Sequence, residues 1–183
     1  EISECLVGSE MCIRDRAKGT GQRVSGETCT HYLTTTKEVL DNPDFNEAAK
    51  FVCSPALRDR EDCEALWQAL SDGLLTAVSS DHCGIDVAEL KQAGRNDFTQ
   101  IPNGSPGAGD RLHMVWTEGV CTGKLTRQKF VDVIATQPAK INGIYPRKGT
   151  LAVGSDADVV IFDPNYEGTV HLADNPNGVD LSL

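Results

Sequence analysis

The stretch Gly73-Leu-Leu-Thr-Ala-Val78, followed directly by Ser79-Ser80-Asp81-His82-Cys83, decides the fold of this 183-residue chain. Its first part is a short apolar run with β-branched residues, which is typical of a buried β-strand. Its second part places a carboxylate, an imidazole and a thiol at the end of that strand. Because α/β barrels carry their catalytic side chains at the carboxyl ends of their strands, Asp81 is the first candidate for a catalytic residue.

Strand and helix patterns alternate upstream of this run. Residues 23–28 are typical of a short strand, and apolar residues recur at helical spacing from Cys63 to Leu70. Asp72 and Gly73 should end that helix. The order strand, helix, strand predicts a parallel sheet with both faces covered, and therefore an α/β fold.

Downstream of Asp81 the pattern changes twice. Residues 84–109 are rich in glycine and proline, which predicts a long irregular loop. Two amphipathic helices should follow, one over 111–120 and one from an N-cap at Thr126, with a third helix starting at Pro138. Beyond residue 143 the apolar residues recur at every second position, which predicts a small β unit.

The amino-acid composition disfavours several classes of partner and site. The formal net charge is -10 and no basic stripe interrupts it, so nucleic acid and anionic membranes are disfavoured as partners. No apolar stretch approaches the roughly 18 residues of a membrane span. The seven cysteines include no Cys-x-x-Cys pair, which disfavours a disulfide framework and a thiolate zinc site. We therefore predict that the cysteines are free thiols and that the protein is cytoplasmic.

The sequences at the two ends of the chain are unlike those of ordinary protein segments. Leu6-Val-Gly-Ser-Glu-Met-Cys-Ile-Arg-Asp-Arg16 can be back-translated into a common transposase-based sequencing adapter, and Leu181-Ser182-Leu183 matches the start of its reverse complement. We therefore interpret residues 1–16 as adapter read-through and residues 181–183 as a second, weaker trace of it. A genuine amphipathic or targeting segment is the alternative, disfavoured by early acids and a short apolar core. On this interpretation the chain is an internal piece of a longer gene product.

Five motifs occur in an order that is similar to the dihydropyrimidinase (D-hydantoinase) family of the amidohydrolase superfamily. They are Gly26-Glu27-Thr28-Cys29; Cys53-Ser54-Pro55-Ala56-Leu57-Arg58; Ser80-Asp81-His82-Cys83; Gly94-Arg95-Asn96-Asp97-Phe98-Thr99 with Ile101-Pro102-Asn103-Gly104; and Lys148-Gly149-Thr150 with Gly154-Ser155-Asp156-Ala157-Asp158. The resemblance implies that residues 17–147 are the last strands and helices of a metal-dependent (β/α)8 TIM barrel. It implies that residues 148–180 are part of a small β-sandwich.

The resemblance also implies a site. Asp81 corresponds to a metal ligand and proton shuttle, and Ser54 and Asn103 correspond to positions whose backbone groups hold a cyclic imide. The implied cofactors are two divalent metal ions, expected to be zinc, bridged by a carboxylated lysine and a hydroxide. Such a pair acidifies a shared water, which is what hydrolysis of an unactivated ring amide needs. The implied reaction opens a 5,6-dihydropyrimidine or hydantoin ring to an N-carbamoyl amino acid, and a homotetramer is the implied assembly.

Other metal ligands of the family cannot be mapped onto this sequence. The family uses a His-x-His pair, the carboxylated lysine and two further histidines, all of which would precede residue 17. Asp81 alone cannot hold zinc, so we expect the 183-residue chain by itself to be inactive and the intact parent to be the enzyme. The alternative class is a non-catalytic dihydropyrimidinase-related scaffold, which typically lacks the carboxylate found at position 81. Allantoinase and dihydroorotase are less favoured alternatives.

Each candidate residue also has a structural interpretation. The structural interpretation of Asp81 is the N-cap of a following helix, and Ser54 and Asn103 are also common turn residues. His31 follows a predicted strand and has two interpretations, one facing the pocket and a favoured one on the surface or in packing. A structural role is favoured for His82, while Cys83 is predicted to be a buried thiol rather than a nucleophile.

Overall fold

A computed structural model describes residue 14, residues 16–169 and residue 171. Most of the segment interpreted as adapter sequence, and all of residues 181–183, lie outside the described residues, so both interpretations stay predictions. Arg14 is buried, and its guanidinium donates a hydrogen bond to the carbonyl of Leu74. None of the helices in the described ranges combines the length and apolar character of a membrane span.

Two short parallel strands form the sheet that the described residues contain. Strand β1 is Glu27–Cys29 and strand β2 is Ala77–Ser79, with Thr28 opposite Val78 and Cys29 opposite Ser79. The predicted parallel pairing is confirmed. Because the strands run in the same direction, both carboxyl ends lie at one edge of the sheet, and the residues that follow each strand come together there.

Between residues 30 and 141 the chain forms helices α1 to α6. They are α1 Thr30–Thr34, α2 Phe45–Ala49, α3 Arg60–Ser71, α4 Arg111–Val115, α5 Arg127–Val131 and α6 Gln137–Ile141. Helical turns of π type continue α4 over Trp116–Cys121 and join α5 to α6 over Asp132–Thr136. Short 3-10 turns occur at Lys37–Asp41, Lys91–Gly94 and Phe98–Gln100.

The local signals explain where these helices begin and end. Asp59 and Asp62 form a capping box at the start of α3, and Gly73 follows its end with φ +76°, a conformation that favours glycine. The Thr126 side chain caps α5 by accepting from the backbone N–H of Lys129 at 3.1 Å. Pro138 lies in the first turn of α6, as predicted, but α6 continues from the π turn without a break.

Apolar side chains from α1, α3, β2, α4, α5 and the second π turn form the core. Its buried members are Leu33, Trp67, Ala69, Leu70, Leu75, Val78, Val115, Leu125, Phe130 and Val133. Trp67 is 2% exposed, and its indole N–H donates to the carbonyl of Leu33 at 3.0 Å, so its polar atom is satisfied inside the core. This core holds α1 and β2 against α3 and thereby fixes the edge where the strands end.

The predicted β unit after residue 143 does not form strands within residues 144–169. Val153 and Ile161 are almost fully exposed, and the segment is held by Phe162, whose ring centroid lies 4.7 Å from that of Trp116. A strand needs a hydrogen-bonded neighbour, and within the described residues no strand pairs with this segment. The prediction of strands is wrong for residues 144–169, whereas the assignment of residues 148–180 to part of a β-sandwich stays a prediction.

Candidate metal centre

Asp81 lies at the carboxyl edge of the sheet, two residues after β2. Its side chain is exposed, and its backbone has φ +45°, which few residues other than glycine, asparagine and aspartate adopt. No helix begins within residues 82–90, so Asp81 caps none. The capping interpretation is therefore wrong, and the strained backbone instead directs an exposed carboxylate at the end of the strand.

Cys29 and His31 lie next to Asp81. One ligand atom from each of the three residues, the Cys29 sulfur, a His31 ring nitrogen and an Asp81 carboxylate oxygen, lies within 4.8 Å of the other two. The strand register explains this meeting, because Cys29 is opposite Ser79, and His31 and Asp81 each come two residues later. The three donor types are those that bind zinc in proteins.

His31 is the site residue that sequence reasoning undervalued, because a packing or surface role was favoured. Its side chain is 4% exposed, and neither ring nitrogen has a hydrogen-bond partner. Burial lowers the pKa of the imidazole, and the Asp81 carboxylate partly opposes this. His31 comes two residues after the end of β1, and Asp81 comes two residues after the paired end of β2. This equal spacing is the signal that would have identified His31.

Cys29 is half-buried, and its sulfur lies 3.3 Å from the Ser79 hydroxyl oxygen. Burial is the main factor that raises the pKa of the Cys29 thiol; the Ser79 hydrogen bond lowers it, and the Asp81 carboxylate raises it further. Without a cation nearby, Cys29 is therefore a protonated thiol at neutral pH and a poor nucleophile. The five cysteines of the described residues are all free, as predicted.

The structure brings the loops of Ser54 and Asn103 together at the same edge. Both residues are exposed, and the loops are joined where the N–H of Gly104 donates to the carbonyl of Val52 at 3.0 Å. The Tyr32 hydroxyl donates to the carbonyl of Pro55 at 2.9 Å, which ties the Ser54 loop to the turn that carries His31. Burial is the main factor that raises the pKa of this Tyr32 hydroxyl.

The loop after Asp81 joins the same network. The Cys83 N–H donates to the carbonyl of Ser105 at 3.0 Å. Nδ1 of His82 accepts from the backbone N–H groups of Gly107 and Ala108 at 3.3 and 3.4 Å, which agrees with the structural role favoured for this histidine. A β-carbon on Gly104 would lie 2.8 Å from the Cys83 sulfur, so the two loops touch at a position that has room only for glycine.

Lys91 lies beneath these loops and was not singled out by the sequence. Its side chain is fully buried, and its ammonium group donates to the carbonyls of Ala49, Lys50 and Val52 at 2.7, 3.2 and 3.3 Å. Burial lowers the pKa of Lys91 to about 8. Lys91 thus braces the turn that leads into Ser54.

Comparisons with known proteins identify the family to which this chain is similar. Residues 8–181 match the amidohydrolase family. The match begins within residues 1–16, which leaves the adapter interpretation of that segment a prediction. The chain is 49% identical over 167 residues to a D-hydantoinase from Ralstonia pickettii and 45% identical over 166 residues to one from Geobacillus stearothermophilus, covering 91% of this chain in both cases. It spans 36% and 35% of the length of these two relatives.

Solved structures show the same partial coverage. The chain superposes with a TM-score of 0.87 and 44% identity on a dihydropyrimidinase from Brevibacillus agri, covering 93% of this chain and 37% of that one. A second structure, described as D-hydantoinase, gives a TM-score of 0.86 at 49% identity. The predicted fold class, part of the α/β barrel enzyme fold of the amidohydrolases, is confirmed by these superpositions.

Proposed function

The chain belongs to the amidohydrolase family, and we propose that it is part of a metal-dependent hydrolase that opens a 5,6-dihydropyrimidine or hydantoin ring to an N-carbamoyl amino acid. The placement of Asp81 carries this proposal. Its exposed carboxylate stands at the carboxyl edge of a parallel sheet, and the segment that follows it is hydrogen-bonded through Cys83 to the loop after Asn103, which the family resemblance assigns to substrate binding. The likeness to D-hydantoinases over 91% of the chain supports the same reaction class.

The proposed chemistry assigns Asp81 a proton-transfer role. A bound divalent metal would supply Lewis acidity and lower the pKa of a water molecule. The Asp81 carboxylate would accept the proton of that water and return it to the ring nitrogen as the amide bond breaks. Its carboxylate is exposed in this chain, so water and substrate can reach it.

Substrate binding is assigned to the backbone at Ser54 and Asn103. A cyclic imide presents alternating N–H and C=O groups, which backbone donors and acceptors can match in fixed geometry. The hydrogen bond between Gly104 and Val52 and the brace from Lys91 hold these two loops relative to each other. Such support reduces the ordering that substrate binding would otherwise require.

The finer details of the enzyme follow from the resemblance and belong to the same proposal. We expect two zinc ions bridged by a carboxylated lysine and a hydroxide, with every family ligand except Asp81 outside these 183 residues. We propose that the complete protein is a cytoplasmic homotetramer that acts in pyrimidine degradation. The carboxylate at Asp81 favours the enzyme over a non-catalytic scaffold, because the scaffold class typically lacks it.

Two measurements test the proposal. The reading frame upstream of residue 17 in clean genomic DNA should encode a His-x-His pair, a lysine and two further histidines. The protein from that complete frame should hydrolyse dihydrouracil or a hydantoin, whereas the 183-residue chain alone should not. A complete frame without the histidines, or a metal-loaded product that leaves both rings closed, would overturn the proposal.

Replacing Asp81 by asparagine in the complete protein should lower kcat by a factor of at least 100, in line with loss of a general acid–base group. Asparagine tolerates the positive φ at this position, so the fold should survive. Asp41→Asn, an exposed change at the end of a 3-10 turn, is the matched control and should leave kcat unchanged. Near wild-type turnover by Asp81→Asn would exclude the proton-transfer role.

A further inference from the structure

The peptide groups of Ser54 and Asn103 are open to a ligand. Both residues are exposed, and across the described ranges no protein group forms a hydrogen bond with the backbone N–H or C=O of either residue. Such groups are satisfied by water until a ligand replaces it. The residues on either side of Ser54 are instead held by hydrogen bonds.

The upstream side of Ser54 is anchored at the carbonyl of Val52. This carbonyl accepts from the Gly104 N–H at 3.0 Å and from the Lys91 ammonium group at 3.3 Å. The anchor lies two residues before Ser54 and one residue after Asn103, so it sets how closely the two loops approach. It leaves the backbone dihedrals between Val52 and Ser54 free, so a second anchor is needed to set the direction of the Ser54 peptide groups.

The downstream side of Ser54 is anchored by the hydroxyl of Tyr32. This hydroxyl donates to the carbonyl of Pro55 at 2.9 Å, and the Cys53 thiol approaches the same carbonyl at 3.3 Å. The hydroxyl is the stronger of the two donors, because a thiol donates weakly. Burial is the main factor that raises the pKa of the Tyr32 hydroxyl, so it keeps its proton and stays a donor at neutral pH.

Tyr32 is itself held by the core. It lies in α1, directly after β1, between the buried residues His31 and Leu33. Its ring centroid is 4.1 Å from that of His31, and the indole N–H of Trp67 donates to the carbonyl of Leu33 at 3.0 Å. Tyr32 therefore connects the rigid end of β1 to the mobile side of the Ser54 loop.

We propose that Tyr32 is a positioning residue for substrate binding: by holding the Pro55 carbonyl, it fixes the Ser54 N–H and C=O in the directions that a cyclic imide requires. The inference rests on the proposed function, in which the Ser54 backbone holds the ring. In this role Tyr32 contacts neither the substrate nor the reacting atoms. Its loss should therefore weaken binding, because a loop that is already ordered loses less freedom when substrate binds.

Tyr32→Phe in the complete protein tests this role, because it removes the hydroxyl and keeps the ring. KM for the ring that the enzyme opens should rise about fivefold, in line with the loss of one neutral hydrogen bond. The value of kcat should stay within a factor of about two, since the transition state keeps its own contacts. An unchanged KM, or a fall in kcat larger than the rise in KM, would overturn the proposal.

Tyr145→Phe is the matched control. Tyr145 is exposed, and its hydroxyl has no hydrogen-bond partner among the residues that the structure describes. This variant should keep the wild-type KM and kcat. A rise in KM equal to that of Tyr32→Phe would show that loss of any tyrosine hydroxyl has the same effect, and would overturn the assignment to Tyr32.

A measurement without substrate separates this inference from the proposed function. In ¹⁵N relaxation of the 183-residue chain, the order parameter of the Ser54 amide should be about 0.85 in the wild type and about 0.6 in Tyr32→Phe. The other amide signals of the same spectrum show that the variant is folded. An order parameter that Tyr32→Phe leaves unchanged would overturn the positioning role. A complete wild-type protein that opens neither ring would instead overturn the proposed function.

Discussion

Lys91 and His31 are both withdrawn from solvent near the edge where the strands end, yet their surroundings are opposite. Lys91 is completely buried and donates to three backbone carbonyls. His31 is almost as buried and has no hydrogen bond at either nitrogen. A buried nitrogen-bearing side chain can therefore be either fully hydrogen-bonded or left without a partner. The Lys91 ammonium group is satisfied by backbone carbonyls, whereas no group of the described residues satisfies the His31 imidazole.

The difference separates stability from function. A satisfied buried polar group stabilises the fold, and an unsatisfied one costs free energy. Changes in the braced loops around Lys91 should therefore destabilise the chain, while an apolar change at His31 should spare its stability.

Gly104→Ala should produce the largest loss. The new methyl group would lie 2.5 Å from the Cys83 β-carbon, at a backbone φ of +123°. Overpacking and backbone strain together should lower the free energy of unfolding by about 3 kcal/mol, measured by urea denaturation. Gly143→Ala is the matched control, since its φ is +69° but nothing lies within 4 Å, and it should cost only about 1 kcal/mol. Equal losses in the two variants would show that the contact with Cys83 is not restrictive.

Lys91→Met should lower the free energy of unfolding by about 2 kcal/mol, because the buried carbonyls of Ala49, Lys50 and Val52 lose a hydrogen-bond donor. Methionine keeps most of the side-chain volume, so the loss reports on the ammonium group. Lys18→Met, an exposed change, should have no measurable effect on urea denaturation. A neutral Lys91→Met variant would show that the brace contributes nothing.

The stability difference between the wild type and Lys91→Met should also depend on pH. The pKa of Lys91 is about 8 in the folded chain and about 10.4 in the unfolded chain, so the unfolded state binds more protons between these values. Rising pH therefore stabilises the wild type through this group, and the gap should widen by about 1 kcal/mol between pH 7 and pH 9. Urea denaturation at both pH values measures it, and a gap that narrows would contradict the lowered pKa.

His31→Leu should have the smallest effect on stability. In EDTA, replacing an unpartnered buried imidazole with an apolar side chain of similar size should change the free energy of unfolding by less than about 1 kcal/mol. Urea denaturation of both proteins measures the difference. A loss as large as that of Lys91→Met would mean that His31 is a structural residue like Lys91.

Much of the fold was predictable because its signals are local. The capping box at Asp59 and the glycine at position 73 mark the bounds of α3, and the apolar run before Asp81 marks β2. The Thr126 cap marks α5 in the same way. Each of these signals acts over a few residues, so no knowledge of distant contacts was needed.

The predictions that failed all depend on contacts between residues that are far apart in the sequence. Apolar residues do alternate after residue 143, but they form no strand within 144–169. A strand needs a hydrogen-bonded partner strand, and a local pattern does not show whether one is present. Lys91 lies in a glycine-rich loop where a lysine is ordinarily exposed, and only the approach of residues 49–52 buries it. His31 was undervalued because its position beside Asp81 depends on the register between β1 and β2.

The sequence by itself determined the strand that ends at Asp81, the helices with their caps, the family resemblance and the residue types available for chemistry. Only the tertiary structure decided that Cys29 and His31 meet Asp81, that Lys91 is buried, and that the Ser54 and Asn103 loops are joined. The physical reason is the range of the interactions. Caps, turns and periodicity act between near neighbours in the chain, whereas strand register and loop packing join residues about 40 to 50 positions apart.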